Sequence, residues 1–366
     1  MVELENFAKG DIHFPNETDG IECGSPDYME NINLEIKEYF NILEPDFPYW
    51  LNEYINTDIL LRQQYISPTC GTIYSDLFES EFFFSNLDHS IGVALVCWHF
   101  THNKKITLAG LFHDVATPVF KHSIDFLKGD HMTQESTEEL TSEIISSSDE
   151  VMSLLRRDNI QLSEIDDYHI YPIADNDEPM LSSDRLEYSL SNGLFFYNLL
   201  GMDKIKEIYN DIGIQVNENG VEEFGFKDKD IAREFVKVTS KLSIIYREDR
   251  SRYTLQFLAD IIKKLHEKDV ITESDLYTLK ESEVIDIIEN SKYSDVFKIW
   301  KTAKKVKTSK KKPNNVYSVN TGAKIRYIDP LVNGVRISEI CKESDRMIKE
   351  TLSYDVSNYV YLDFDF

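Results

Sequence analysis

Residues 108–126 read LAGLFHDVATPVFKHSIDF. The apolar run LAGLF stops on an adjacent imidazole and carboxylate, His113-Asp114. Apolar residues crowd 106–116 densely enough to predict a buried helix, which puts the dipeptide at that helix's edge. A carboxylate buried there costs several kcal/mol unless something pairs with it. A divalent cation would supply the pairing. A ligand set of nitrogen and oxygen suits Mn, Fe, Zn, Ni, Co or Mg better than a soft-ligand metal.

On its own, such a dipeptide at a helix end says little; order and spacing say more. His89 stands 24 residues earlier, at the start of a second apolar helix predicted over 90–102. Asp184 follows in LSSDRLEYS, in the first turn of a helix predicted over 182–200, with Arg185 beside it and Tyr188 one turn further on. Six of the nine histidines (His89, His99, His102, His113, His122 and His131) fall between residues 89 and 131. Of these, His99 and His102 read as packing or surface residues.

The order H…HD…D resembles that of the HD-domain metal-dependent phosphohydrolases. Beyond the ligands, LDHSIGVAL at 87–95 resembles the family's EHSLGV segment, and residues 108–126 resemble its AALLHDIGHGPFSHxFE segment. DRLEYSLSN at 184–192 resembles DKxDYxxRD. ITESDLYTLKESEVIDII at 271–288 is similar to a helix pair in the deoxynucleotide triphosphohydrolase branch, which includes the animal SAM-and-HD-domain enzyme. The resemblance covers roughly residues 60–290. It implies a mainly α fold, a helical bundle with one divalent metal ion on His89, His113, Asp114 and Asp184. It also implies His122 as general acid toward a leaving oxygen, with Asp125 orienting it, since a histidine can donate a proton near neutral pH. Glu135 would match the glutamate of the family's HE pair, with Gln134 replacing its histidine. Tyr188 matches a tyrosine near the nucleotide phosphates or sugar.

Three departures bear on substrate. Asn86 replaces an arginine three residues before the first metal histidine, Thr117 replaces the second histidine of HDIGH, and Asn192 replaces the closing aspartate of DYxxRD. Arginine makes bidentate contacts to phosphate that asparagine's neutral amide does not replace. The expected activity is therefore metal-dependent phosphohydrolysis of a nucleotide, in the manner of a deoxynucleoside triphosphate triphosphohydrolase. Nucleotide monophosphatase, cyclic-nucleotide phosphodiesterase and a non-catalytic nucleotide-sensing module remain open.

Composition sets the surroundings. The 366 residues carry 65 acidic against 39 basic side chains, a formal net charge of -26. Such a surface repels a nucleic-acid backbone, whereas a small phosphorylated substrate needs only a metal and a few local cations. The four cysteines form no CxxC pair, the first residues lack a signal-peptide pattern, and the apolar runs are too short to span a bilayer. A cytoplasmic setting is expected, without membrane contact, and relatives commonly form homo-oligomers.

Along the chain we expect an N-terminal arm over 1–31, a helical HD domain over 32–300 and a small α+β appendage over 301–366. Arg247 and Arg250, three apart on a predicted helix, are candidate phosphate contacts. Lys301, Lys304, Lys305, Lys307, Lys310, Lys311 and Lys312 read as a solvated run, with a phosphate-binding strip as the functional alternative.

Overall fold

The computed structural model describes residues 27–79, 82–121, 123 and 140–366. It is mainly helical, with two small sheets. Helices α1 (Tyr28–Asn31), α2 (Leu34–Leu43), α3 (Leu51–Ile55) and α4 (Asp58–Leu61) lead into a central antiparallel pair, α5 (Asn86–Thr101) and α6 (Lys104–Phe112). Then come α7 (Thr141–Ser147), α8 (Asp149–Arg157), α9 (Ser183–Ser191) and α10 (Met202–Asp211). A hairpin of β1 (Ile212–Val216) and β2 (Glu222–Phe226) separates these from α11 (Lys229–Arg247) and α12 (Asp249–His266). Helices α13 (Glu273–Thr278), α14 (Glu281–Glu289) and α15 (Ser294–Thr302) precede strands β3 (Lys307–Ser309), β4 (Ser318–Val319), β5 (Leu331–Val332) and β6 (Val335–Arg336). The chain then runs through α16 (Ile337–Ile340), α17 (Lys342–Leu352) and β7 (Tyr359–Tyr361).

Helix α5 is the axis of the molecule. Every residue from Asn86 to Cys97 is buried, as expected of a helix that is apolar on all sides. Its start is fixed by a capping box: the Ser85 hydroxyl accepts from Asp88 N at 3.0 Å, and the Asp88 carboxylate accepts from Ser85 N at 2.8 Å. It packs on α6, α9 and α2. Gly110 allows the close approach of α6, since a Cβ there would sit 3.0 Å from Cys97 Sγ and 3.2 Å from Val93 Cγ1.

Among the described residues a small cluster of Val93, Cys97, Ala109, Tyr168 and Ala174 accompanies two large hydrophobic cores. One gathers Ile91, Leu95, Leu111, Phe112, Leu186 and Leu190; the other gathers Phe257, Ile261, Val284 and Trp300. Residues beyond 301 enter both: Ile328, Val332 and Ile348 join the first, and Val319, Val360 and Leu362 the second. The four-stranded sheet has the order β1-β2-β5-β6, with β2 and β5 parallel, and the three-stranded sheet the order β3-β7-β4.

The predicted helices over 90–102 and 106–116 correspond to α5 and α6. The helix predicted over 182–200 instead ends at Ser191 and passes into a π turn over Asn192–Phe196, whose Phe195 and Phe196 are buried. The β1–β2 hairpin lies inside a stretch whose sequence reads as almost wholly helical. Among the described residues no helix is long and apolar enough to cross a membrane.

Candidate metal centre

Three elements bring the candidate ligands together. His89 projects from the first turns of α5, His113 directly follows the last residue of α6, and Asp184 lies in the first turn of α9. His89 Nε2 is 3.1 Å from Asp184 Oδ1 and 3.2 Å from His113 Nε2, and His113 Nε2 is 3.6 Å from Asp184 Oδ1. Asp114 Oδ2 faces the same point, 3.8 Å from His89 Nε2 and 3.6 Å from His113 Nε2. His89 and His113, both buried, and the partly exposed Asp184 are thus a group whose donor atoms could hold a metal ion. Asp114 differs from them in being engaged by the ammonium of Lys121.

Both imidazoles are oriented from behind. His113 Nδ1 donates to the Gly110 carbonyl at 2.7 Å, and His89 Nδ1 donates to the Glu187 carboxylate. Each ring therefore turns Nε2 toward the cluster, as in metal-binding histidines whose other nitrogen is tied to an acceptor. Two carboxylates converging on one point repel one another unless positive charge lies among them.

The ionisation of these groups follows the same logic. Burial opposes the charged form of His89, yet the Glu187 and Asp184 carboxylates push its imidazole up to about 10. Burial lowers His113, with His89 acting in the same direction and Asp114 and Asp184 against it. Burial would raise both aspartates. Instead Asp184 lies well below the usual carboxylate range through His89 and His113, and Asp114 through Lys121 and the two histidines. A proton on His89 faces Asp184 and Glu187, and the Lys121 ammonium faces Asp114. The donor set suits a divalent cation of the nitrogen-and-oxygen class.

Glu187 has no place in the expected site. It is fully buried and accepts further hydrogen bonds from Tyr39 Oη at 3.1 Å and Ser191 Oγ at 3.2 Å. Gly92 makes room for it, because a Cβ there would fall 2.7 Å from Glu187 Oε1. The signal was legible: Glu187 is three residues past Asp184 and shares its helix face.

Lys121 was also missed. The residues Phe120 and Lys121 have φ of 61° and 38°, left-handed values that side-chain-bearing residues seldom take. The loop is held there by Val119 N donating to the Leu276 carbonyl at 2.8 Å and Phe120 N to Glu281 Oε1 at 3.2 Å. Lys121 Nζ reaches Asn86 Oδ1 at 3.2 Å besides Asp114. Asn86 Nδ2 in turn donates to Gln63 Oε1 at 3.1 Å, so Asn86 is fully committed inside the protein.

Beside the cluster lies a cavity of about 250 Å³. Tyr188 lines it, as the sequence suggested, and burial pushes its phenol up to about 12. Arg247 and Arg250 do not line it. Helix α11 ends at Arg247 and α12 begins at Asp249, so the shared helix face that would bring them together does not exist. Arg247 is buried against the Ser243 and Thr351 carbonyls, and Arg250 binds Glu248 at 2.8 Å and the Leu77 carbonyl at 2.9 Å. His122, Asp125, His131 and Glu135 lie outside the described residues. Within the lysine run, Lys301, Lys304, Lys307 and Lys310 pair with Glu289, Asp76, Asp363 and Asp355.

No family model matches the chain. It is similar to the uncharacterized protein YdhJ of Bacillus subtilis (strain 168), at 26% identity over 215 residues, which is 58% of this chain. The match spans 63% of that protein's length.

Proposed function

We propose that this chain is a metal-dependent phosphohydrolase of the HD type that acts on a nucleotide. The observation that carries the reading is the convergence of His89 Nε2, His113 Nε2 and Asp184 Oδ1 beside a cavity, each imidazole held by its opposite nitrogen. The motif order of the sequence supports it independently.

A divalent ion held by His89, His113 and Asp184, with Asp114 as fourth ligand, would polarise a phosphoryl oxygen and acidify a bound water. Glu187 keeps the His89 ring oriented and basic toward the cluster. Lys121 places a positive charge at the cavity wall. His122, supported by Asp125, protonates the leaving oxygen. We take the chain to work in the cytoplasm as a homo-oligomer, which light scattering at several concentrations would test.

Two features favour a nucleoside monophosphate or a cyclic nucleotide over a triphosphate within this class. The cavity falls below the roughly 300–1,000 Å³ of pockets for larger ligands. Asn86 spends its amide on Gln63 and Lys121.

The deciding experiment is a product-resolved hydrolysis screen of nucleoside mono-, di- and triphosphates and cyclic nucleotides, with Mn, Mg, Ni, Fe, Co and Zn supplied in turn. Triphosphate release would establish the triphosphohydrolase reaction, and orthophosphate release or ring opening the other two. Nucleotide binding with no turnover under any metal would replace hydrolysis with sensing.

A further inference from the structure

The wall of the cavity opposite α9 comes from a distant part of the chain. Residues 320–330 form a strap that leaves β4 in the three-stranded sheet and enters β5 in the four-stranded sheet. Both ends are pinned. Near the first, Asn320 Nδ2 donates to the Ser357 carbonyl at 2.8 Å and Arg252 Nη1 to the Thr321 carbonyl at 2.5 Å. Near the second, Asp329 N donates to the Pro179 carbonyl at 3.0 Å, and Ser338 N donates to the Asp329 carboxylate at 3.0 Å.

Between these pins the strap lines the cavity with Ala323, Lys324 and Arg326. The intervening Ile325 is 36% exposed, the alternation of an extended segment that turns 324 and 326 to one side. Arg326 lines the cavity together with Tyr188 of α9. Among the described residues Lys324 makes no ion pair, in a chain whose net charge is -26. Arg252, fully buried, also lines the cavity; its Nη2 pairs with Asp249 at 2.5 Å, and its Nε has no hydrogen-bond partner. Asp175, Asp177 and Glu178 share the rim, but Asp175 and Glu178 each sit 3.7 Å from Arg185, which offsets them.

A buried guanidinium nitrogen without an acceptor and a cavity-facing ammonium without a counter-ion together describe an anion subsite. We propose that the strap is the phosphate-recognition element of the cavity. Lys324 and Arg326 hold a ligand phosphate, and Tyr188 and Tyr246 pack against the body of the ligand. The proposal rests on the nucleotide reading above for the identity of that body, not for the anion site itself.

The test is calorimetric titration of inorganic pyrophosphate into metal-stripped full-length chain, repeated after Mn²⁺ is restored. Wild-type protein should bind pyrophosphate without metal, more weakly as salt rises. K324Q should weaken binding severalfold, and K324Q/R326Q about tenfold or more, the loss expected for charge-assisted hydrogen bonds. An unchanged melting temperature for K324Q without ligand checks the fold. Equal binding by wild type and double variant, or no binding by metal-stripped wild type, overturns the proposal. Mn²⁺ retention, measured on the same samples, should be the same in all three proteins. Its absence from wild type would defeat the metal reading while leaving the strap result standing.

Discussion

His89 and Glu187 face each other across α5 and α9, with the imidazole Nδ1 donating to a carboxylate that no solvent reaches. That contact decides which nitrogen the ring offers to its neighbours. It also makes Glu187 a residue that would tune a metal bound to this ring without ligating it.

Removing this support should weaken the metal without removing a ligand. E187A should bind Mn²⁺ about 10–100-fold more weakly than wild type, with E187Q in between because its amide oxygen still accepts from Nδ1. Competition against a chromogenic chelator measures it. Equal affinity in E187A would remove Glu187 from the site.

Gly92 is the steric counterpart. In G92A the new methyl meets Glu187 Oε1 at 2.7 Å, and shifting that side chain should cost about 1–3 kcal/mol in urea unfolding and also weaken Mn²⁺ binding. G213A, where an added Cβ meets nothing within 4 Å, should stay within about 0.5 kcal/mol. If both variants unfold alike, the close approach has no energetic weight.

Lys121 and Asp114 are both buried, and K121M leaves the carboxylate without its ammonium. The metal-free variant should lose about 3–5 kcal/mol, as when one member of a buried ion pair is removed. Saturating Mn²⁺ should raise the melting temperature of K121M more than that of wild type, since the ion then meets a carboxylate with no competing partner. An equal rise in the two proteins would mean that Asp114 is not a ligand.

Glu281 gives the fold a pH dependence. Burial raises its carboxyl to about 7, although Tyr74 Oη donates to it at 2.7 Å and Phe120 N at 3.2 Å. The folded state therefore holds a proton that the unfolded chain, near its ordinary value of about 4.5, releases earlier. This contribution to stability is complete below about 4.5 and is lost as pH rises toward 7. Denaturant midpoints of wild type should fall relative to those of E281Q across that window, and parallel curves would show that Glu281 does not titrate there.

His89, His113 and Asp184 were legible because each occupies a marked place in a local pattern: the start of an apolar helix, the end of another and the first turn of a third. Lys121 was not, because its direction depends on left-handed backbone at two residues with side chains, imposed by contacts to α13 and α14. The hairpin escaped for a different reason. All of Glu223, Phe224, Gly225 and Phe226 are buried, so β2 shows none of the alternation that reveals a half-exposed strand. The strap is the least legible feature. Its position follows from the pairing of β5 with β2, a contact between segments far apart in sequence.

The strap also fixes the order in which the cavity can be finished during synthesis. The candidate ligands have all been made once Asp184 has emerged, whereas Lys324 and Arg326 come 140 and 142 residues later. β7, which pairs with both β3 and β4, comes later still. The candidate ligands and the strap thus come from separate parts of the chain, and the cavity has its full lining only when the residues beyond 301 have joined the cores.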